Sequence, residues 1–145
     1  MVGIKNEKYL AVQTVLELKK TSAWIEDVLQ SHFAKYNLTY PKFRVLMQLK
    51  LGTEEGLTLS ELSKAVGVSN ANITGLVDRL ARDNWVYREP HPKDRRVYNV
   101  KLTENAVSLL TTFLPLHNEY VFESMSGLNL EEKQELIRLL GKLKK

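Results

Sequence analysis

Apolar residues recur at three- and four-residue steps along most of the chain and predict six helices and one β-hairpin. The first helix runs from about Ile4 to Tyr36 with no internal proline or glycine. A helix of this length is roughly 50 Å long, which is more than a domain this small can cover. Asn37, which tolerates the left-handed conformation, ends it, and Thr39 with Pro41 behind it opens a second helix. Residues 52–56 are predicted to form a loop.

A helix-turn-helix is predicted in the middle of the chain. Thr58 and Glu61 have the spacing of a capping box and start a short helix, which Gly67 ends. Ser69 can cap a new helix two residues later, and this leaves the tight turn that a helix-turn-helix requires. The new helix has one apolar stripe that should face the core, formed by Ile73, Leu76, Val77 and Leu80.

The opposite face of that helix carries small and polar residues. Its centre line consists of Ala71, Gly75, Asp78 and Arg82, flanked by Asn72, Thr74 and Arg79. A glycine inside a helix costs about 1 kcal/mol relative to alanine, so its presence on a solvent face suggests that a partner approaches closely. The alternative is an ordinary exposed helix in which the glycine is incidental.

Two extended runs, Trp85–Glu89 and Val97–Leu102, predict a β-hairpin whose tip contains two prolines. In the second run the two-residue period puts Tyr98, Val100 and Leu102 on the face toward the core, and Asn99 and Lys101 on the other face. The tip carries three cations, Lys93, Arg95 and Arg96. Charged tips are usually only solvated, but a hairpin directly after a helix-turn-helix is what a winged helix requires.

The remaining sequence predicts two more apolar helices. The fifth starts at Thr103 and continues toward Phe122, and Pro115 is expected to kink or divide it. The sixth is capped by Asn129. Together with the long first helix they would expose a large apolar surface in a monomer, so we expect a twofold dimer. The predicted fold is mainly α with a small β-hairpin wing: a single domain, residues 1–145, in which residues 4–36 and 104–145 form a helical dimerisation region and residues 39–103 a winged helix-turn-helix.

Composition and charge indicate the cellular location of the protein and the class of partner it binds. The chain has no cysteine, which excludes thiol redox sensing and Cys-based zinc sites and fits a reducing cytoplasm. No apolar run approaches the roughly 18 residues of a membrane span, and the N-terminus lacks a signal peptide pattern, so a cytoplasmic location without a membrane partner is expected. The net charge is +4, of which residues 58–103 hold +3, a weak electrostatic indication of nucleic acid binding.

Three stretches resemble the MarR family of winged-helix transcription regulators. They are LSELSKAVGVS at residues 59–69, ITGLVDRL at residues 73–80 and DRRVYNVKLT at residues 94–103. The last is the most specific, because D-x-R followed six residues later by L-T marks the family's wing. The chain departs from the usual pattern at Asn84 and Ala106, where glycine is common, but Asn is the next best left-handed residue and Ala suits a first helical turn.

The resemblance implies a homodimer that binds double-stranded DNA, with intertwined terminal helices and a recognition helix from Ser69 to about Asn84 in each major groove. By position, Arg96 is the wing arginine that enters the minor groove, and Asp94 positions it. Arg95 is a candidate phosphate contact, and Lys93 is also expected to bind DNA. The recognition-helix positions that touch DNA in the family are Ser69, Asn70, Asn72, Thr74 and Gly75. Arg79 either contacts phosphate or forms an internal ion pair.

The resemblance also implies an effector, often a small aromatic or anionic molecule, that releases the dimer from its operator. The residues that would line such a pocket here are Trp24, Tyr36, Tyr40, Phe43 and Arg44. Aromatic core packing at a helix junction is the alternative for these five positions. Repression is the expected outcome of occupying a promoter.

Two other functions, an enzyme and a protein-binding module, are alternatives to regulation. An enzyme needs a constellation of catalytic groups, but the three histidines fall on separate elements and there is no glycine-rich phosphate loop. We therefore expect no catalytic residues, no metal site and no cofactor. The other function is a winged helix that binds only proteins and has lost DNA contact. Such a module would have no use for the three cations at the wing tip.

Overall fold

The computed structural model describes the backbone of residues 2–144 and the side chains of residues 6–144. This part of the chain forms a mainly helical fold with a small antiparallel sheet, as predicted. The elements are α1 (Val2–Ala34), α2 (Tyr40–Leu51), β1 (Leu57–Thr58), α3 (Leu59–Val66), α4 (Asn70–Arg82), β2 (Val86–Pro90), β3 (Tyr98–Leu102), α5 (Glu104–Ser124) and α6 (Leu130–Leu143). Two compact units are distinguished, residues 1–111 and residues 112–145.

The helix ends lie where local capping chemistry predicts them. Asn37 follows α1 with a φ of 55°, and Asn84 follows α4 with a φ of 61°, so both adopt the left-handed conformation. Thr39 caps α2 by accepting a hydrogen bond from the Lys42 N–H. Full capping boxes open α3, between Thr58 and Glu61, and α6, which Asn129 caps.

The sheet has three strands in the order β1-β3-β2, and both pairs are antiparallel. The sequence predicted the hairpin of β2 and β3 but missed β1, because two residues carry no detectable alternation. Leu57 of β1 pairs with Val100 of β3, which makes β3 the central strand. Gly56, just before β1, has a φ of 81°, and a Cβ there would lie 2.3 Å from the carbonyl oxygen of Val100.

The predicted faces of β3 are only partly correct. Val100 is fully buried, as expected, but Tyr98 is 48% exposed and Asn99 is buried. Tyr98 lies at the wing end of the strand, opposite Pro90, where little of the core remains to cover it. Asn99 lies between neighbours on both sides, Thr58 and Glu89, so position in the sheet outweighs the alternation of the sequence.

Pro115 was expected to kink or divide α5, and it does not divide the helix. The helix continues unbroken from Glu104 to Ser124 with the proline inside it. Proline removes one backbone hydrogen bond, but residues four apart on a helix still pack against each other across it. Phe113 and His117 do so with their rings stacked 5.0 Å apart, and both side chains are buried.

The core of the first unit lies where α2, α3, α4 and the sheet meet. The fully buried side chains there are Val45, Leu46, Leu62, Ile73, Val77, Leu80 and Val100. The terminal helices are different. Much of the first half of α1 is exposed, including Tyr9, and α6 buries none of its residues. Within residues 2–144 no helix is both long and apolar enough to cross a membrane.

We expect Gly56→Ala to destabilise the protein more than Gly67→Ala does. Both residues have positive φ, which costs an alanine about 1–2 kcal/mol. At Gly67 nothing lies within 4 Å of an added Cβ, whereas at Gly56 the methyl group meets the Val100 carbonyl and adds an overpacking cost of about 1–3 kcal/mol. Urea unfolding at one fixed protein concentration measures the difference.

Gly127→Ala is the matched control, because nothing lies near an added Cβ and its backbone is not left-handed. It should change the free energy of unfolding by less than about 0.5 kcal/mol. Equal urea midpoints for Gly56→Ala and Gly67→Ala would show that close packing of residue 56 against the Val100 carbonyl does not limit stability.

Candidate DNA-binding surface

The helix-turn-helix is closed by its own turn. Gly67 follows α3 in the left-handed conformation with a φ of 73°. The Ser63 hydroxyl donates to the Val68 carbonyl at 2.6 Å, and the Val68 N–H donates to the Ser63 carbonyl at 3.2 Å. Ser69 then caps α4 by accepting from the Asn72 N–H at 3.2 Å. These local bonds fix where α4 starts.

The core fixes which face of α4 points outward. Its whole apolar stripe is buried, as predicted: Ile73, Leu76, Val77 and Leu80. On the opposite side Asn70 and Asn72 are exposed, and Gly75 is half-buried. Thr74 is also exposed, but its hydroxyl donates to the Asn70 carbonyl within the helix at 2.8 Å. Ser69, Asn70, Asn72 and Thr74 are thus exposed in the N-terminal half of α4 beside the half-buried Gly75, and Ser69 also serves as the cap. Their contact with DNA stays a prediction.

Two ion pairs tie the carboxylates of this region to the scaffold. Asp78 of α4 pairs with Arg88 of β2, and Asp83 just beyond α4 pairs with Lys42 of α2 at 3.1 Å. Sequence reasoning missed both, because their partners are 10 and 41 residues away in the chain. Within the part of the chain with described side chains, Arg79 belongs to no ion pair, so the internal pair that the sequence left open is not formed there.

The wing tip is organised by hydrogen bonds of its own. The Asp94 carboxylate accepts from the Arg96 N–H at 3.0 Å and from its Nε at 3.1 Å. The His91 N–H donates to the Val97 carbonyl at 2.8 Å, and the Val97 N–H donates to the Asp94 carbonyl at 3.0 Å. Hydrogen bonds from Arg96 lower the pKa of Asp94, so the carboxylate is anionic at neutral pH.

The three tip cations are exposed to solvent. The side chain of Arg96 is 91% exposed even though Asp94 is bonded to its Nε. Lys93 and Arg95 are exposed beside it. Asp94 also accepts a hydrogen bond from Nη2 of Arg96 at 3.4 Å, which leaves Nη1 and the second N–H of Nη2 available to donate hydrogen bonds. The tip therefore presents a positioned arginine and two further positive charges.

The base of the wing contains a cleft that the sequence did not reveal. It has a volume of about 350 Å³, and the loop at residues 52–56 forms one wall. Its opposite wall includes Tyr87 and Lys101. Lys101 pairs with Glu89 at 2.7 Å, and the hydrogen bond to this carboxylate raises the pKa of Lys101. The residues that line the cleft come from separate parts of the sequence, residues 49–56, 87 and 101–107, so no local signal could have found it.

Four of the five predicted effector residues lie near the junction of α1 and α2. The Phe43 ring lies 5.0 Å from Phe33, and the Tyr40 ring 6.1 Å from it. Arg44 lies over the Tyr40 ring at 5.8 Å. The Tyr36 ring lies 5.6 Å from His32, whose pKa burial lowers. Trp24 lies further back along α1, 47% exposed.

Comparison with known proteins identifies the fold and the family. A model of the MarR family matches residues 38–98. The transcriptional repressor YetL of Bacillus subtilis is 35% identical over 133 residues, which cover 92% of this chain and 80% of that protein.

Two solved structures share the fold. A mutant of Escherichia coli MarR in complex with operator DNA is 26% identical, with a TM-score of 0.79, over 90% of this chain and 93% of the other. Bordetella bronchiseptica BpsR, whose DNA binding is regulated by 6-hydroxynicotinic acid, is 25% identical, with a TM-score of 0.76, over 88% and 90%. The chain, with its capped helix-turn-helix and its D-x-R wing, belongs to the MarR family of transcription regulators.

Proposed function

We propose that this protein is a transcriptional repressor that binds a pseudo-palindromic operator in double-stranded DNA as a homodimer. The observation that carries the proposal is the exposed polar face of α4 beside a wing tip that presents Lys93, Arg95 and Arg96. Recognition helices contact base edges from the N-terminal part of their outward face, and this is where Asn70 and Asn72 lie. E. coli MarR with operator DNA supports the proposal by likeness of fold and sequence.

The wing supplies the second contact. Arginine suits a narrow minor groove, whose negative potential attracts a guanidinium. Asp94 holds the guanidinium of Arg96 in one orientation while the side chain stays exposed. Little rotamer entropy is therefore lost when this side chain enters the groove. Lys93 and Arg95 flank it and are placed to contact phosphates.

A second copy of the chain accounts for the apolar side chains that the terminal helices expose. On α1 these include Tyr9, Leu10, Val12, Val15 and Leu16, and on α6 Leu130, Leu136, Ile137, Leu139 and Leu143. Monomeric soluble proteins rarely expose apolar patches of this extent. A twofold dimer covers them and sets two recognition helices about one helical turn of DNA apart, roughly 34 Å, which requires a pseudo-palindromic operator.

The effector in this proposal is a small aromatic anion. The cluster of Tyr36, Tyr40, Phe43 and Arg44 offers ring faces and a guanidinium, the groups that recognise an aromatic carboxylate. Release from DNA requires that the effector bind better to a dimer whose helix spacing no longer fits the operator. BpsR, regulated by 6-hydroxynicotinic acid, supports this assignment. The absence of catalytic activity and the cytoplasmic location stay predictions of the same proposal.

We expect affinity for an operator duplex to fall steeply with salt, because bound phosphates release counterions. Arg96→Ala should lower the affinity about tenfold and reduce the slope of log K against log salt by about 1. Fluorescence anisotropy at several salt concentrations measures both quantities. Lys50→Ala removes one charge at the end of α2 and should leave the slope unchanged. A flat salt dependence of the wild type would instead favour a module that binds only proteins.

We expect Ile137→Glu to weaken dimerisation by at least about 100-fold, because the twofold axis buries two unpaired carboxylates. Ile137 is 70% exposed in the single chain. Leu51→Glu is the matched control, since Leu51 is 74% exposed but lies at the end of α2. Sedimentation velocity over a range of concentrations distinguishes monomer from dimer. A fully dimeric Ile137→Glu variant at submicromolar concentration would show that α6 lies outside the interface.

We expect an aromatic carboxylate to bind the dimer and to weaken its affinity for the operator. Calorimetry with 6-hydroxynicotinic acid and with benzoate tests binding, and benzamide is the uncharged control. Arg44→Gln should weaken carboxylate binding about tenfold, since a charge-assisted hydrogen bond is lost. Equal binding of benzoate to wild type and Arg44→Gln would move the effector site away from the α1–α2 junction.

A further inference from the structure

The side chain of Arg79 lies back along α4 over Gly75. Its Nη1 and Nη2 atoms are 3.7 and 3.8 Å from the position that a Cβ on Gly75 would occupy. Helical side chains lean toward the N-terminus, so a residue covers the surface of the preceding turn. On the helical wheel Arg79 belongs to the flank of the outward face, whereas Gly75 lies on its centre line. The guanidinium is thus carried from the flank toward the centre of the recognition surface.

The neighbouring carboxylates are already paired with other cations. Asp78, adjacent to Arg79, pairs with Arg88, and Asp83 pairs with Lys42. Among residues with described side chains, no ion pair includes Arg79, and the residue is exposed. A guanidinium in this state keeps its planar fork of donors for a ligand outside the chain.

The surroundings of this guanidinium suit a base edge better than a phosphate. Phosphates line the borders of the major groove, while the centre line of a recognition helix faces the base pairs. On that line Gly75 follows the small Ala71, and Asn72 on the flank can hydrogen-bond, so the groove floor can approach. Asp78, also on the line, is paired with Arg88. Guanine presents two acceptors in the major groove, O6 and N7, at the spacing that an arginine fork matches.

We propose that Arg79 recognises one guanine in each half of the operator by donating to both O6 and N7, and that Gly75 provides the space for its guanidinium. This inference rests on the proposed DNA-binding function and adds the identity of a base and of the residue that reads it. In the twofold dimer the guanine appears once per half-site, related by the dyad of the operator.

The experiment selects bound sequences from a randomised duplex pool with the wild type, Arg79→Gln, Arg79→Lys and the control Lys50→Gln. Affinities are then measured for the selected operator and for duplexes in which each selected guanine is replaced. Arg79→Gln should lose about 5- to 150-fold in affinity for the operator and keep its affinity for unrelated DNA within a few-fold. Its selected sequences should show relaxed preference at one guanine position per half-site.

The two other variants separate a base contact from a charge effect. Arg79→Lys keeps the charge but lacks the fork, so it should retain the wild-type salt slope and lose the guanine preference. Lys50→Gln removes a charge from the last turn of α2, outside the recognition helix, and should select the same sequences as the wild type. Thermal unfolding of each variant shows whether α4 remains folded.

Uniform loss of affinity on all sequences by Arg79→Gln, with a salt slope smaller by about 1, would identify a phosphate contact and overturn the inference. Unchanged selection by Arg79→Gln would overturn it as well. In both cases the wild type still selects an operator, and the proposed function stands. A wild type that selects no sequence at all removes the proposed function, and this inference with it.

Discussion

The burial of one apolar stripe on α4 determines how the rest of the surface can work. Ile73 and Val77 are fully buried in the core of the first unit, with Leu76 and Leu80 beside them. Fully burying such side chains contributes about 1.5–3 kcal/mol each, so rotating the helix about its axis is strongly disfavoured. Once that rotation is fixed, the glycine and the polar residues on the opposite side can only face outward. The orientation of the proposed DNA-binding surface is therefore specified by buried residues that are not part of it.

Electrostatics refine the same surface. A polyanion approaching α4 would be repelled by an unpaired Asp78, but this carboxylate is paired with Arg88 on the neighbouring strand. The pair also joins the recognition helix to the wing, so that the two elements share one contact as well as one core. At the wing tip an ion pair has a different role. Hydrogen bonds from Arg96 keep Asp94 anionic, and Asp94 orients the Arg96 side chain, which stays exposed to solvent.

Local chemistry explains which features could be predicted from the sequence. Caps depend on residues within three positions, so Thr58, Ser69 and Asn129 marked helix starts correctly. Features that depend on distant neighbours could not be read in this way. The strand β1 exists only because β3 lies beside it, and the burial of Asn99 follows from its place between two strands. The division of α5 at Pro115 was wrongly allowed for a related reason, since a local rule for proline takes no account of the packing of Phe113 on His117.

The candidate site follows the same division. The positions on α4 and at the wing tip were predictable, since periodicity assigns faces and a motif assigns the tip. The ion pairs that organise them were not, because Asp78 meets Arg88 only through the tertiary fold. The direction in which Arg79 extends was equally hidden, since a flexible side chain takes its path from the space that Gly75 leaves.

The turn at the wing tip is held by hydrogen bonds within the tip, so wings of different length can carry the same turn. The bonds that position Arg96 all go to one residue two positions away, Asp94, and among the described residues none goes to the body of the sheet. The length of the hairpin therefore sets how far the tip reaches, whereas the turn alone sets how Arg96 is oriented. Adding two residues to each strand preserves the in-and-out alternation and carries the same turn about 7 Å farther from the body. Insertions into β2 and β3 can then adapt the protein to a different operator geometry while Arg96 and the core residues stay unchanged.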